Sequence, residues 1–419
     1  MIQAPAAARP STARIAIASL AGTAIEFYDF FIYGTAAALV FNEAFFPQLD
    51  PLTGTLAAFS TFAVAFVARP LGSAIFGHWG DRVGRTSVLV VSLLLMGLST
   101  VAIGLLPDYA AIGVAAPALL VALRFLQGIG LGGEWGGAAL LATEHAPPGE
   151  RGRYAIFPQL GPSVGFVGAT VAFMLAGTEH WRVPFVASLL LVVVGLYIRV
   201  RIAETPVFRE AVEQGRIARV PVAALLRAQG GRVLLGAGAM VIGYTLFYTS
   251  TTYGLAYGTR TLGIERDTML AVLLFGVVFM GAGTVMSALI SDRIGRRRTL
   301  IAGSLAAVVW GPVMFPLMDT RSTAAVAMAM AGALFVMGLV YGPMGAYLPE
   351  LFRTEYRYSG ASLAYSLGGV VGGAVPPLVA TQMQASGLGS LAIGGYVSAM
   401  AALSLGSVLM LPETRKVRL

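Results

Sequence analysis

Gly77-His-Trp-Gly-Asp81-Arg82-Val-Gly84-Arg85 returns about 210 residues later as Ala288-Leu-Ile-Ser-Asp292-Arg293-Ile-Gly295-Arg296. Two further pairs share the offset. Glu144 and Arg151 stand seven apart, as do Glu350 and Arg357, and Glu204-Thr205-Pro206 is echoed by Pro412-Glu413-Thr414. A repeat of this length predicts two related halves rather than a string of small modules. The Gly77–Arg85 loop and its echo each lie between two long apolar runs, so the halves are predicted to be membrane-embedded.

Composition agrees. Hydrophobic residues make up 57% of the 419 positions and charged residues 11%, too little polar surface to coat a soluble globule. Polar breaks delimit twelve apolar runs, near 15–40, 53–77, 87–106, 115–143, 153–177, 182–200, 232–258, 268–290, 299–318, 322–347, 357–383 and 390–411. Each can cross about 30 Å of hydrocarbon as a helix. None alternates as barrel strands do, and lipid tolerates no unpaired backbone, so the expected fold is all-α. The expected organisation is a tail 1–14, a six-helix bundle 15–200, a linker 201–231, a second bundle 232–411 and a tail 412–419. The first run starts late and carries two acids, unlike a cleavable signal peptide.

The cations fix the expected orientation. With the amino terminus in the cytoplasm, Arg9, Arg14, Arg82, Arg85, Arg151, Arg153, the arginines of 199–232, Arg293, Arg296, Arg297, Arg298, Arg353 and Arg357 fall inside. Only Arg182, Arg260, Arg266 and Arg321 fall outside. Both termini are therefore expected in the cytoplasm, with the chain spanning a bacterial inner membrane.

Other classes find little support. The chain has no cysteine, which removes disulfides and thiolate metal sites. Its three histidines, His78, His145 and His180, lack metal-ligand spacing. Lys416 is the sole lysine and no phosphate-cradling loop precedes it, so neither ATP use nor enzymatic work is expected. The net charge of +8 is not gathered on one face or tail, so nucleic acid is not an expected partner.

The Gly77–Arg85 loop and its echo resemble the signature loop of the major facilitator superfamily. That resemblance implies twelve transmembrane helices in two pseudo-symmetric six-helix bundles. More narrowly, Gly22-Thr-Ala-Ile-Glu26-Phe-Tyr-Asp29-Phe-Phe-Ile-Tyr33-Gly34, Phe45-Phe46-Pro47, Arg69-Pro70-Leu-Gly72 and Gln127-Gly128 are similar to the metabolite:proton symporter family. So are Gly132-Gly133-Glu134-Trp135-Gly136-Gly137, Trp181-Arg182-Val-Pro184-Phe185 and Arg357-Tyr358-Ser-Gly360. The resemblance runs from about residue 14 to 411. Within it, Asn42–Pro51 and Gly54–Phe59 look most like shikimate permease-type transporters. It implies proton-coupled uptake of a small polar metabolite, such as a shikimate-like hydroxy or aromatic carboxylate, by a monomer whose partners are substrate, protons and the bilayer. No cofactor beyond the coupling proton is implied. A betaine or proline symporter and a proton-driven exporter are the alternatives. Gly161-Pro162-Ser-Val-Gly165 partly resembles an antiporter motif, although Phe166 replaces its second glycine.

Charges inside the bilayer are costly unless they work or are paired, which singles out Glu26, Asp29, Arg69, Arg124 and Glu134. Glu26, Asp29 and Tyr33 fall at i, i+3 and i+7, on one helical face. Arg124, Gln127 and Glu134 share a stripe on the fourth run. Asp29 and Arg124 differ by roughly 5 Å in expected depth, within arginine reach. A pair there would let a carboxylate substrate compete for Arg124 while Asp29 takes a proton; the alternative is a permanent structural bridge. Glu26 is a second proton-coupling candidate. Glu134, among glycines, suits a hydrogen bond at a tight helix crossing as well as a substrate contact. Arg69, toward the cytoplasmic end of the second run, can snorkel to the headgroups, with a gating role as the alternative. Tyr244, Tyr248 and Tyr341 are candidate hydrogen-bonders to substrate, whereas Tyr253 and Tyr257 read as interfacial belt residues. Gly77, Asp81, Arg82, Gly84, Arg85, Glu144 and Arg151, with Asp292, Arg293, Arg296, Glu350 and Arg357, form the expected gating set. Their charges either latch one face shut or anchor helix ends to anionic lipid.

Overall fold

A computed structural model describes residues 12–83, 85–147, 149–200 and 221–417, and among them all regular structure is helical. The long helices are α1 (Thr12–Leu39), α2 (Pro51–Val83), α3 (Arg85–Leu105), α4 (Ala115–Glu144), α5 (Arg151–Ala176) and α6 (Arg182–Val200). The second series is α7 (Val222–Thr261), α8 (Arg266–Ile294), α9 (Arg296–Asp319), α10 (Thr323–Glu350), α11 (Thr354–Ala385) and α12 (Ser390–Met410). Eleven of these, α2 to α12, contain described stretches long and apolar enough to cross a membrane. α1 adds 28 residues, about 42 Å at 1.5 Å per residue. Large apolar side chains such as Leu175 (84% exposed) and Leu190 (71%) point outward, as suits a lipid-facing surface.

Helix packing repeats with the sequence. In the first series α1 packs on α5, α2 on α4, and α3 on α6; in the second, α7 packs on α11, α8 on α10, and α9 on α12. Contacts between the series repeat too, since α2 lies against α11 and α8 against α5. Small residues permit the closest crossings. A Cβ on Gly132 would sit 2.3 Å from the carbonyl oxygen of Arg69, and one on the corresponding Gly338 2.4 Å from that of Met280. Gly338→Val must therefore push α8 and α10 apart. The expected result is about 3 kcal/mol of destabilisation, read as a lower thermal unfolding midpoint in detergent, with an unchanged midpoint refuting the close crossing.

Several boundaries differ from the sequence expectation. Residues 221–231, assigned to the linker, form the first turns of a 40-residue α7, kinked at Gln229 (φ −138°, ψ 22°). α4 is interrupted at Gly133. Three π turns, Thr249–Tyr253 and Tyr257–Thr261 in α7 and Val370–Ala374 in α11, shift the facing of the side chains that follow them. Short helices at Phe41–Phe45 and Tyr109–Ile112 fill two loops on the face opposite the chain ends. The face carrying the chain ends is called the terminal face below. Gly84, most of the linker and the side chains of Asp81, Arg82 and Arg85 lie outside the described residues.

Candidate functional site

The inner surfaces of α1, α5, α7, α10 and α11 meet around a small central gap of about 20 Å³, lined by Phe27, Phe31, Tyr244, Tyr248, Tyr341 and Tyr365 among others. That is room for about one water molecule. Phe31 stacks on Phe247 at 4.8 Å between ring centres, and Tyr248 lies 5.1–6.0 Å from Phe30, Phe62 and Phe66, so rings from both halves close together here. Nothing larger than a water molecule can enter this gap unless the halves separate.

Two guanidinium groups are buried beside this gap. The Arg124 guanidinium carbon lies 3.8 Å from the ring centre of Tyr33, 4.4 Å from Phe30 and 5.1 Å from Phe62. Its Nη1 donates to Gln127 Oε1, while Nε and Nη2 have no acceptor among the described residues. Arg69 of α2 lies 4.6 Å from Phe30 and 5.1 Å from Phe66, within electrostatic reach of the phenols of Tyr244, Tyr248 and Tyr365. None of its three side-chain nitrogens meets an acceptor, and neither arginine forms an ion pair among the described residues. The buried hydroxyl of Tyr244 is likewise unfilled. Rings stabilise a cation through their quadrupole but leave its N–H donors free, so the arrangement presents positive charge and unfilled donors at one place.

The acids of α1 divide between two environments. Asp29 is fully buried, and among the described residues neither of its carboxylate oxygens has a hydrogen-bond partner and no cation pairs with it. Glu26, 1% exposed, has no hydrogen-bond partner among the described residues, and Arg69, Glu134 and Arg199 act on it electrostatically. Glu134 forms a buried ion pair with Arg199, which comes from the terminal-face end of α6 and also donates to the carbonyl of Leu89.

The expected Asp29–Arg124 bridge is thus absent. Arg124 turns onto the ring of Tyr33, one helical turn beyond Asp29, and Gln127 reaches the backbone carbonyl of Asp29 rather than its carboxyl. Tyr33 donates to Thr61 at 2.7 Å, and Gln127 to Thr100 at 2.8 Å. Arg69 was expected among the headgroups but is buried at the centre, 1% exposed. The one signal in the sequence was an arginine inside an apolar run followed by Pro70. Arg199, counted with the cytoplasmic cations, points inward instead. Tyr253 and Tyr257 are buried rather than belted, donating to Gln384 and Asp319. A chain of contacts joins the gap to the crossing of the halves: Trp135 stacks on Tyr365 at 4.0 Å and donates to Gln159, which donates to the carbonyl of Tyr341.

The gating residues that are described meet on the terminal face and cross between the halves. Arg296 binds Asp292 at 2.6 Å and Glu350 at 3.4 Å, and Arg151 of the first half reaches the same Glu350 at 3.4 Å. Asp292 accepts the backbone N–H groups of Gly152 and Arg153, while Arg357 pairs with Glu144 at 3.9 Å. The expectation placed these pairs within each half; Arg296 does pair within the second half, whereas Arg151–Glu350, Arg357–Glu144 and the backbone contacts of Asp292 cross between the halves. Arg293 is exposed. A Cβ on Gly77 would lie 2.9 Å from Ser359 Oγ, another crossing of the halves. The tail adds to the closure. Thr414 donates to Glu350 at 2.6 Å, Arg151 to the carbonyl of Val417, and Glu413 accepts the first N–H groups of α9 behind Gly295, whose φ of +109° suits glycine. The opposite face is held more sparsely in polar terms, with Arg260 of α7 donating to Thr55 of α2 at 2.8 Å.

Among the described residues, twelve long helices in two repeating sets, eleven of them long and apolar enough to cross a membrane, close on buried charges, the architecture of a polytopic membrane transporter. The family model described as Major Facilitator Superfamily matches residues 19–377, and the chain belongs to that superfamily. It is 46% identical over 417 residues to an inner membrane metabolite transport protein, YhjE, of Escherichia coli K12, covering 96% of this chain and 94% of that one. It is 36% identical to the shikimate transporter of the same organism, covering 93% of each. It is also 33% identical to the proline/betaine transporter of Salmonella typhimurium, over 89% and 78% of the two chains. Among solved structures, the proton:xylose symporter XylE bound to 6-bromo-6-deoxy-D-glucose superposes with a TM-score of 0.78 at 18% identity, covering 96% of both. At that identity the match speaks for the fold.

Proposed function

We propose that the chain is a proton-coupled symporter that takes up a small organic acid, a shikimate-like hydroxy or aromatic carboxylate, with both termini in the cytoplasm. The observation that carries this reading is the pair Arg69 and Arg124, buried beside the central gap with unfilled donors and no ion pair among the described residues. A substrate carboxylate supplies the missing acceptor, and the surrounding phenyl and phenol rings suit a cyclic body. Relatives named for shikimate and for proline and betaine leave a zwitterion as the other choice. Aromatic cages do take quaternary ammonium groups, but here Phe30, Phe62, Phe66 and Tyr33 already carry guanidinium groups, which favours an anion. Glu26 and Asp29 are the candidate proton carriers, because an ionised carboxylate buried without a counter-ion is costly and protonation removes that cost. The unfilled hydroxyl of Tyr244, with Tyr248 and Tyr341 lining the same gap, supports a role for these phenols in hydrogen-bonding substrate hydroxyls. The path lies within one chain, so a monomer suffices.

The test is uptake into liposomes with an inward proton gradient, using labelled shikimate beside other hydroxy and aromatic acids, betaine and proline. Accumulation of an acid that collapses with a protonophore, and is lost in Glu26→Gln or Asp29→Asn, is the expected result. Extrusion of the panel would sink uptake, accumulation of betaine or proline alone would sink the acid assignment, and unchanged accumulation in both variants would remove proton coupling from α1.

A further inference from the structure

A group that carries a coupling proton is charged in one half of the cycle and neutral in the other, so it needs a counter-ion within reach for the charged half. Asp29 has neither a hydrogen-bond donor nor a cation on its carboxylate among the described residues. Glu26 is placed differently. The Arg199 guanidinium lies 3.7 Å from where a Cβ on Gly22 would stand, and Gly22 is one helical turn before Glu26 on the same face of α1. Arg199 is bound there to Glu134 of α4, and Arg69 of α2 also acts on Glu26 electrostatically. The remaining polar groups that bear on Glu26 are Tyr248 of α7 and Tyr341 of α10.

Resting on the symport reading, we infer that Glu26 is the proton carrier and that Arg199, held by Glu134, is its internal counter-ion on the empty return of the carrier. In the loaded carrier, protonated Glu26 needs no partner and Arg199 pairs with Glu134 alone. After substrate leaves, the Glu26 proton passes to water at the terminal face, the carboxylate keeps both electrons of the broken O–H bond, and Arg199 donates an N–H to it while keeping Glu134. The cluster of Glu26, Glu134, Arg69 and Arg199 is then balanced, two negative charges against two positive, and the unloaded halves can re-close. The position of Arg199, one residue from the terminal-face end of α6, suits it to this step. Arg199 is a positioning residue, since it acts on the proton through Glu26.

Net uptake requires that return, whereas exchange of internal for external substrate does not. Arg199→Gln should therefore lose gradient-driven accumulation of the acid that the wild-type protein concentrates, labelled shikimate first, while exchange of the same acid persists. Glu26→Gln should behave alike at every pH, and Arg199→Lys should restore accumulation in part. Because Arg199→Gln leaves Glu134 buried alone, the double variant Arg199→Gln/Glu134→Gln keeps the test decisive: exchange without accumulation is expected. Wild-type accumulation in Arg199→Gln or Glu26→Gln, or loss of exchange in the double variant, would overturn the inference. Failure of the wild-type protein itself to use a proton gradient would instead overturn the symport reading beneath it.

Discussion

Arg124→Gln is expected to abolish uptake of a carboxylate while leaving the protein at least as stable as before. The two halves of that expectation have one cause. A guanidinium buried without a carboxylate is a cost to the substrate-free protein, only partly offset by the rings of Tyr33 and Phe30. Substrate removes the cost by pairing with it. Glutamine can still occupy part of the space and accept or donate one hydrogen bond, but it supplies no charge. Losing a charge-assisted bond of this kind costs about 3 kcal/mol, a factor of about 100 in affinity. Substrate binding measured by calorimetry beside the thermal unfolding midpoint checks both halves. The same pattern is expected for Arg69→Gln, whose three nitrogens are all unfilled. An unfolded Arg124→Gln protein, or one that binds the acid as wild type does, would mean that the arginine serves the scaffold rather than the substrate.

The second large effect is expected at Glu350. Its carboxylate is fully buried and receives Arg151 from the first half, Arg296 from α9 and the Thr414 hydroxyl from the tail. Glu350→Gln leaves two guanidinium groups without that negative charge, and breaking a buried ion pair on one side costs about 3–5 kcal/mol. Because Arg151 crosses between the halves, much of this loss falls on the state in which the terminal face is closed. About 4 kcal/mol is roughly a thousandfold shift in the ratio of closed to open. The absence of cysteine from the chain gives a clean reporter. A Cβ on Gly77 would lie 3.4 Å from that of Ser359, close to the separation a disulfide needs. Gly77→Cys/Ser359→Cys should cross-link readily in the otherwise wild-type chain and far more slowly with Glu350→Gln added. Equal rates would show that Glu350 only anchors helix ends.

What the sequence by itself determined is whatever the bilayer and the repeat impose locally. Long apolar runs must close their own backbone hydrogen bonds in lipid, so their helical state follows without knowledge of any partner. The recurrence of Asp81-Arg82 at Asp292-Arg293 and of Glu144–Arg151 at Glu350–Arg357 announced two halves, and helix pairs such as α2 with α4 and α8 with α10 repeat accordingly. The isolated charges Glu26, Asp29 and Arg124 marked the interior for the same reason, since lipid excludes them. Tertiary structure alone decided where each long side chain went. Arg69 had equal freedom to snorkel toward the headgroups or turn to the centre, and Phe30 and Phe66 settle it inward. Arg199 could belong to the rim by position, yet Glu134, 65 residues earlier in the chain (199 minus 134), draws it inside. Depth matched Asp29 to Arg124, but the rotation of α1 against α4 presents Tyr33 to the guanidinium instead. Helical period fixes which residues share a face; which face meets which neighbour depends on packing between segments far apart in sequence, and no local pattern encodes it.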